Sequence, residues 1–107
     1  MYLLVVYVPE THTEALIGAL SDAGAGNIGD YDRCAWSVLG QGQFRPLAGA
    51  NPTLGQTGQL ERVAEHRVEM VVKKDRIKTV LQALVVAHPY EEPAHHVMAV
   101  MDRRDFL

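Results

Sequence analysis

The apolar positions of this chain change period several times, and each change marks an element. Tyr2-Leu3-Leu4-Val5-Val6-Tyr7-Val8 is apolar on both alternating faces, which predicts a strand covered on both sides. Pro9 ends it. Thr11 and Glu14 have the spacing of a capping box, and Leu16, Ala19, Leu20 and Ala23 follow at helical intervals. Gly24 and Gly26 supply the helix stop. Arg33 to Leu39 predicts a second strand, with Cys34, Trp36 and Val38 on one face. The pattern then lapses from Gly40 to Gln59. Gly40, Gly42, Gly49, Gly55 and Gly58, with Pro46 and Pro52, predict a long glycine-rich loop. Phe44, Leu47 and Leu54 give that loop groups with which to pack.

Strict alternation returns between Val63 and Lys73. His66, Val68, Met70 and Val72 share one face of this third strand; Arg67, Glu69 and Val71 share the other. Asp75 is a candidate cap for a second helix, in which Ile77, Val80, Leu81, Leu84 and Val85 form an apolar stripe. Ala94 to Met101 predicts a fourth strand, and Asp102 to Leu107 a peripheral tail. The order β-α-β-β-α-β is that of the α+β, ferredoxin-like sandwich, as a single domain over residues 1–107. Its strand order is 4-1-3-2, with antiparallel neighbours and both helices on one face. The other face needs a cover, because Leu3, Val5 and Tyr7 alternate with Leu4, Val6 and Val8. Self-association through the open face is the economical answer.

Composition narrows the classes. A net charge of −3 and the absence of any basic run argue against a nucleic-acid footprint. The first apolar stretch is too short to span a bilayer and lacks the flanks of a signal peptide. A single cysteine, Cys34, excludes an internal disulfide and fits a reducing, cytoplasmic setting.

The densest polar chemistry is His88-Pro89-Tyr90-Glu91-Glu92-Pro93-Ala94-His95-His96, which holds three of the five histidines. The predicted topology collects this turn, Glu10, His12, the glycine-rich loop, Glu65 and His66 at one end of the sheet. Imidazole and carboxylate together suit a divalent metal such as zinc or copper. The candidate ligands are His66, His88, Glu91 and His95, ahead of His96. Spacing favours the plainer alternative of scattered hydrogen-bonding histidines, because His95 and His96 diverge on a strand and no H-E-x-x-H or C-x-x-C occurs. The glycine-rich segment lacks a P-loop lysine. Glu91 and Glu92, being adjacent, suit a turn better than an acid/base pair.

Two motifs carry a resemblance. Gly40-Gln41-Gly42-Gln43-Phe44-Arg45-Pro46-Leu47-Ala48-Gly49-Ala50-Asn51-Pro52, with Gly55 and Gly58 beyond it, resembles the signature of the inserted domain in the NGG-one-interacting-factor-three-like family. His88-Pro89-Tyr90-Glu91-Glu92-Pro93 is similar to that domain's second signature, and Cys34 fits the pattern before the first. The likeness spans residues 1–101 and implies that the chain corresponds to the insert alone. The metal ligands of full-length members lie in flanking halves, so none is carried over, and their hydrolase labels are not inherited. The insert is also similar in fold to CutA and PII proteins, which implies a homotrimer binding a metal or small ligand at subunit clefts. Three function classes stand: a non-enzymatic homo-oligomeric binding or regulatory module, a metal-dependent hydrolase of a phosphate-containing small molecule, and a purely structural oligomerisation domain.

Overall fold

A computed structural model describes all 107 residues. Four strands, β1 (Tyr2–Pro9), β2 (Trp36–Phe44), β3 (Glu61–Val72) and β4 (His95–Ala99), form one sheet. Two helices, α1 (Thr13–Asp22) and α2 (Ile77–Ala87), pack together. The sheet order is β2-β3-β1-β4 and every neighbouring pair is antiparallel, which is the expected topology.

β1 is central because it is apolar on both faces. Leu4, Val6 and Val8 point to the helices and meet Leu16, Leu20, Val80 and Leu84 in a fully buried core with Val68, Met70 and Val72. Burying a Leu or Val side chain contributes about 1.5–3 kcal/mol, so this cluster is what holds helices to sheet. Leu3, Val5 and Tyr7 take the other face. The β1 register sets Tyr7 opposite Arg67, Val5 opposite Glu69 and Leu3 opposite Val71 on β3, and Val5 opposite His96 and Leu3 opposite Met98 on β4. Beyond β4, the Val100 N–H donates to the Met1 carbonyl at 3.1 Å.

Several local expectations change. β2 begins at Trp36 and continues through Gly40, Gly42 and Phe44, so the glycine-rich loop contracts to residues 45–60. Gly40 pairs with Glu65 and Gly42 with Val63; cross-strand pairing outweighs glycine's poor intrinsic strand preference. Thr11 is not the cap of α1. A 3-10 turn over Glu10–His12 precedes the helix, and its cap residue, His12, makes no side-chain cap bond. Asp75 likewise yields to Arg76 at the start of α2. Val85 is 67% exposed rather than part of the stripe. β4 is shorter than expected, and the tail folds into a 3-10 turn capped by Asp102.

The chain is elongated, 52 × 24 × 24 Å, because the β2–β3 hairpin outruns β1. Glu61 to Ala64 pair with β2 alone. No β2 residue is buried.

Candidate functional site

The turn that follows α2 is fixed by its first residue. His88 is only 5% exposed. The Tyr90 N–H donates to its Nδ1 at 3.1 Å, so the ring proton sits on Nε2 and is donated to the Tyr7 carbonyl at 2.7 Å. Burial pushes the His88 pKa down, and nearby His12 and His95 add to this, against the hydrogen bond to Tyr7. A neutral imidazole with both nitrogens committed is a structural fastener between the end of β1 and the turn.

Residue parity then separates the other histidines. His66 lies opposite Val8 and His95 opposite Val6, both on the helix side of the sheet. His66 Nδ1 shares a 2.7 Å hydrogen bond with the buried Thr13 hydroxyl. His95 Nδ1 lies 2.8 Å from the Pro93 carbonyl, and His12 Nδ1 lies 2.8 Å from the Thr11 hydroxyl. His96, opposite Val5, belongs to the open face. Glu91 lines a cleft instead and accepts a hydrogen bond from Asn51 N–H at 2.9 Å. Within one chain, no group of three or more His, Cys, Asp or Glu side chains is placed to hold a metal ion. His66, His88, Glu91 and His95 therefore do not fit a metal centre contained in a single subunit.

What the open face does assemble is a cleft of about 250 Å³ beside Tyr7, Phe44, Glu65 and Tyr90, roofed by Arg45 to Leu54. Phe44 and Tyr90 meet edge to face with ring centroids 5.6 Å apart, and Tyr90 leans on the His88 ring at 5.3 Å. Two hydrogen bonds tie roof to turn: Asn51 N–H to Glu91, and the Thr53 hydroxyl to the Pro89 carbonyl at 2.8 Å. The cleft is thus built from side chains of four separate segments: the end of β1, the end of β2 with its loop, β3 and the turn after α2.

Its polar floor is incompletely satisfied. Burial raises the Glu65 pKa, opposed by Tyr90. The Tyr90 phenol is raised by burial first and then by the Glu65 charge. The two groups are close enough to act on one another, yet the buried Tyr90 hydroxyl has no partner within hydrogen-bond geometry. Glu65 reaches this position over Gly42: a Cβ there would fall on the Glu65 carboxylate. The glycine leaves room for this rotamer of Glu65, on the diagonal of the β2–β3 ladder; a side chain there would turn the carboxylate aside. The sequence places Glu65 at the polar end of the sheet without making it a ligand, and neither Tyr7 nor Phe44 stands out there as a functional residue. Only the strand register brings them together.

Comparison with known proteins adds kinship for most of the chain. No family profile matches it. A "GTP cyclohydrolase 1 type 2 homolog" of Mycobacterium leprae is 52% identical over 97 residues, which is 91% of this chain and 25% of that protein. A crystal structure of a Bacillus cereus protein related to NIF3 superposes with a TM-score of 0.81 at 44% identity, over 94% of this chain and 26% of that one. The chain resembles one segment of NIF3-related proteins. It spans about a quarter of the length of the relatives it matches. The PII-like protein CutA from a Nostoc species shares the fold, with a TM-score of 0.69 at 18% identity, over 99% of this chain and 89% of that one. No helix is long and apolar enough to cross a membrane.

Proposed function

We propose that this chain is a non-catalytic binding module that self-associates through the open face of its sheet and holds a small ligand in the Phe44–Glu65–Tyr90 cleft. The observation that carries the reading is the composition of that face. Trp36 is 58%, Val38 44% and Met98 42% exposed, and the β2 and β3 registers place Trp36 and Val38 beside Glu69 and Arg67. Glu69 accepts from Arg67 at 3.1 Å, and Arg67 lies over the Tyr7 ring. An apolar patch rimmed by a fixed ion pair suits a specific protein contact. The relatives support the same reading: the chain matches one segment of NIF3-related proteins and shares the CutA fold, so we expect an inserted domain of that family and a trimer of the CutA kind.

Ligand binding fits the cleft better than catalysis does. Glu91 is occupied by the roof backbone, and the Thr53 hydroxyl by the Pro89 carbonyl. A zinc or copper site using His66, His88, Glu91 or His95 would have to draw ligands from a neighbouring subunit. Light scattering at micromolar concentration tests the assembly. The wild type is expected above monomer mass, and Trp36→Arg with Val38→Glu is expected to give a folded monomer. A monomeric wild type would falsify the reading of the open face.

A further inference from the structure

We infer that the cleft is selective for a planar cation or amino-heterocycle that presents an N–C–N edge to the Glu65 carboxylate. The inference rests on the reading of the chain as a binding module and names the chemistry of its ligand. Three independent features converge on it.

The first is charge. Glu65, Glu91 and Glu92 face the cleft against a single base, Arg45. The ion pairs of the chain are Arg33–Asp22, Arg67–Glu69 and Arg104–Asp102, which leaves Glu65 with no cation of its own. An anionic ligand would enter an unfavourable field; a cation or N–H donor would meet a free acceptor.

The second is shape. Phe44, Tyr7 and Tyr90, with Pro46, Pro52 and Leu54, give flat apolar walls. Aromatic faces attract planar rings and cations. The volume of about 250 Å³ lies below the roughly 300–1,000 Å³ of drug-sized sites. One ring or two fused rings would fill it.

The third is the placement of the Glu65 carboxylate. A carboxylate accepts two parallel N–H bonds in a fork, and the buried Tyr90 hydroxyl stands close enough to Glu65 to act on it from behind the cleft wall. Gly42 keeps the space in which the carboxylate lies across β2. A ligand with two N–H donors on one edge would satisfy the outward side of that carboxylate. The roof is already anchored to the turn by Asn51 and Thr53, so little ordering has to accompany binding.

The test uses benzamidine and 2-aminobenzimidazole as probes on the full chain, followed by backbone amide NMR shifts. Saturable binding is expected at millimolar levels or tighter, with shifts centred on Gly42, Phe44 and Tyr90. Neutral benzamide should bind at least about tenfold more weakly, since hydrogen bonds to charged groups are the stronger ones. Glu65→Gln should lose about tenfold in affinity with no loss of thermal midpoint, and Glu14→Gln, on α1 and outside the cleft, should change affinity less than about twofold. For benzamidine, affinity should rise with pH as Glu65 deprotonates. Absence of shifts at about 5 mM probe, shifts that saturate elsewhere, or unchanged affinity in Glu65→Gln would overturn the inference. Light scattering on the same samples reports the assembly separately, so failure of one is distinguishable from failure of the other.

Discussion

Replacing His88 by alanine separates a structural histidine from a metal ligand. The substitution removes the donor to the Tyr7 carbonyl and the acceptor for the Tyr90 N–H, both at a residue that is 5% exposed. A buried group left unsatisfied costs about 1–3 kcal/mol. Two such groups, partly relieved by water entering the space of the ring, give an expected loss of about 2–4 kcal/mol. The assay is urea unfolding at fixed protein concentration, pH 8, in protein treated with EDTA. Wild type should be unaffected by the chelator, and His88→Ala should show the full loss. A loss under about 0.5 kcal/mol, within the range of ordinary surface substitutions, would refute the fastener. So would a wild type that falls by a similar amount on chelation alone.

Protonation of His88 gives the same experiment a second reading. Burial lowers its folded pKa, so the unfolded chain takes up the proton first, near pH 6.5. The stabilisation is complete above that value and is lost as pH falls toward the lower folded pKa. Glu65 runs the other way. Its raised pKa penalises the folded state above the ordinary carboxylate range, and the penalty is relieved as pH falls. Subtracting the His88→Ala curve from wild type isolates the histidine slope between pH 7 and 5.

Two further outcomes concern the framework. Gly26 has φ +83° and a Cβ there would lie 2.6 Å from the Cys34 carbonyl oxygen; Gly26→Ala should lose about 3 kcal/mol or more in urea unfolding, whereas Gly29→Ala, with open space around it, should lose about 1–2 kcal/mol. Thr53→Val removes one of the two roof ties and should raise hydrogen-exchange rates across residues 45–60, with a stability change of about 1 kcal/mol; unchanged exchange there would mean the roof is held by packing alone.

The elements that the sequence disclosed are those whose pattern is local. β1 is apolar on both faces and β3 alternates with period two, so the opposite faces of Val68 and Arg67 were readable, and with them the divergence of His95 from His96. The caps were not, because a cap depends on the path of the chain into the helix. The turn at Glu10–His12 takes up Thr11, which would have capped the box, while Glu14 falls in the first turn of α1. β2 was cut short because glycine weakens a lone strand, and nothing local reveals that Val63 and Glu65 will pair with it. The cleft was the least legible feature. Topology brings the segments of Phe44, Glu65 and Tyr90 to one end, but only register puts Phe44 and Glu65 on the same face, and only the packing of the turn lays Tyr90 against them. The histidines misled for the opposite reason. The topology does bring several to one end, but face parity and individual hydrogen-bond partners then divide them.

The bond between Val100 N–H and the Met1 carbonyl has a consequence for how such a module travels. Tyr2 lies opposite Ala99, so the chain enters and leaves the fold side by side. A unit of this shape can be spliced into a surface loop without prising apart the flanking structure, since its two attachment points are already neighbours. Its core, from Leu4 to Leu84, is closed within the unit and asks nothing of a host. The same geometry suits a free chain and a segment forming a quarter of a longer protein, which is the share of the Mycobacterium leprae relative that it matches.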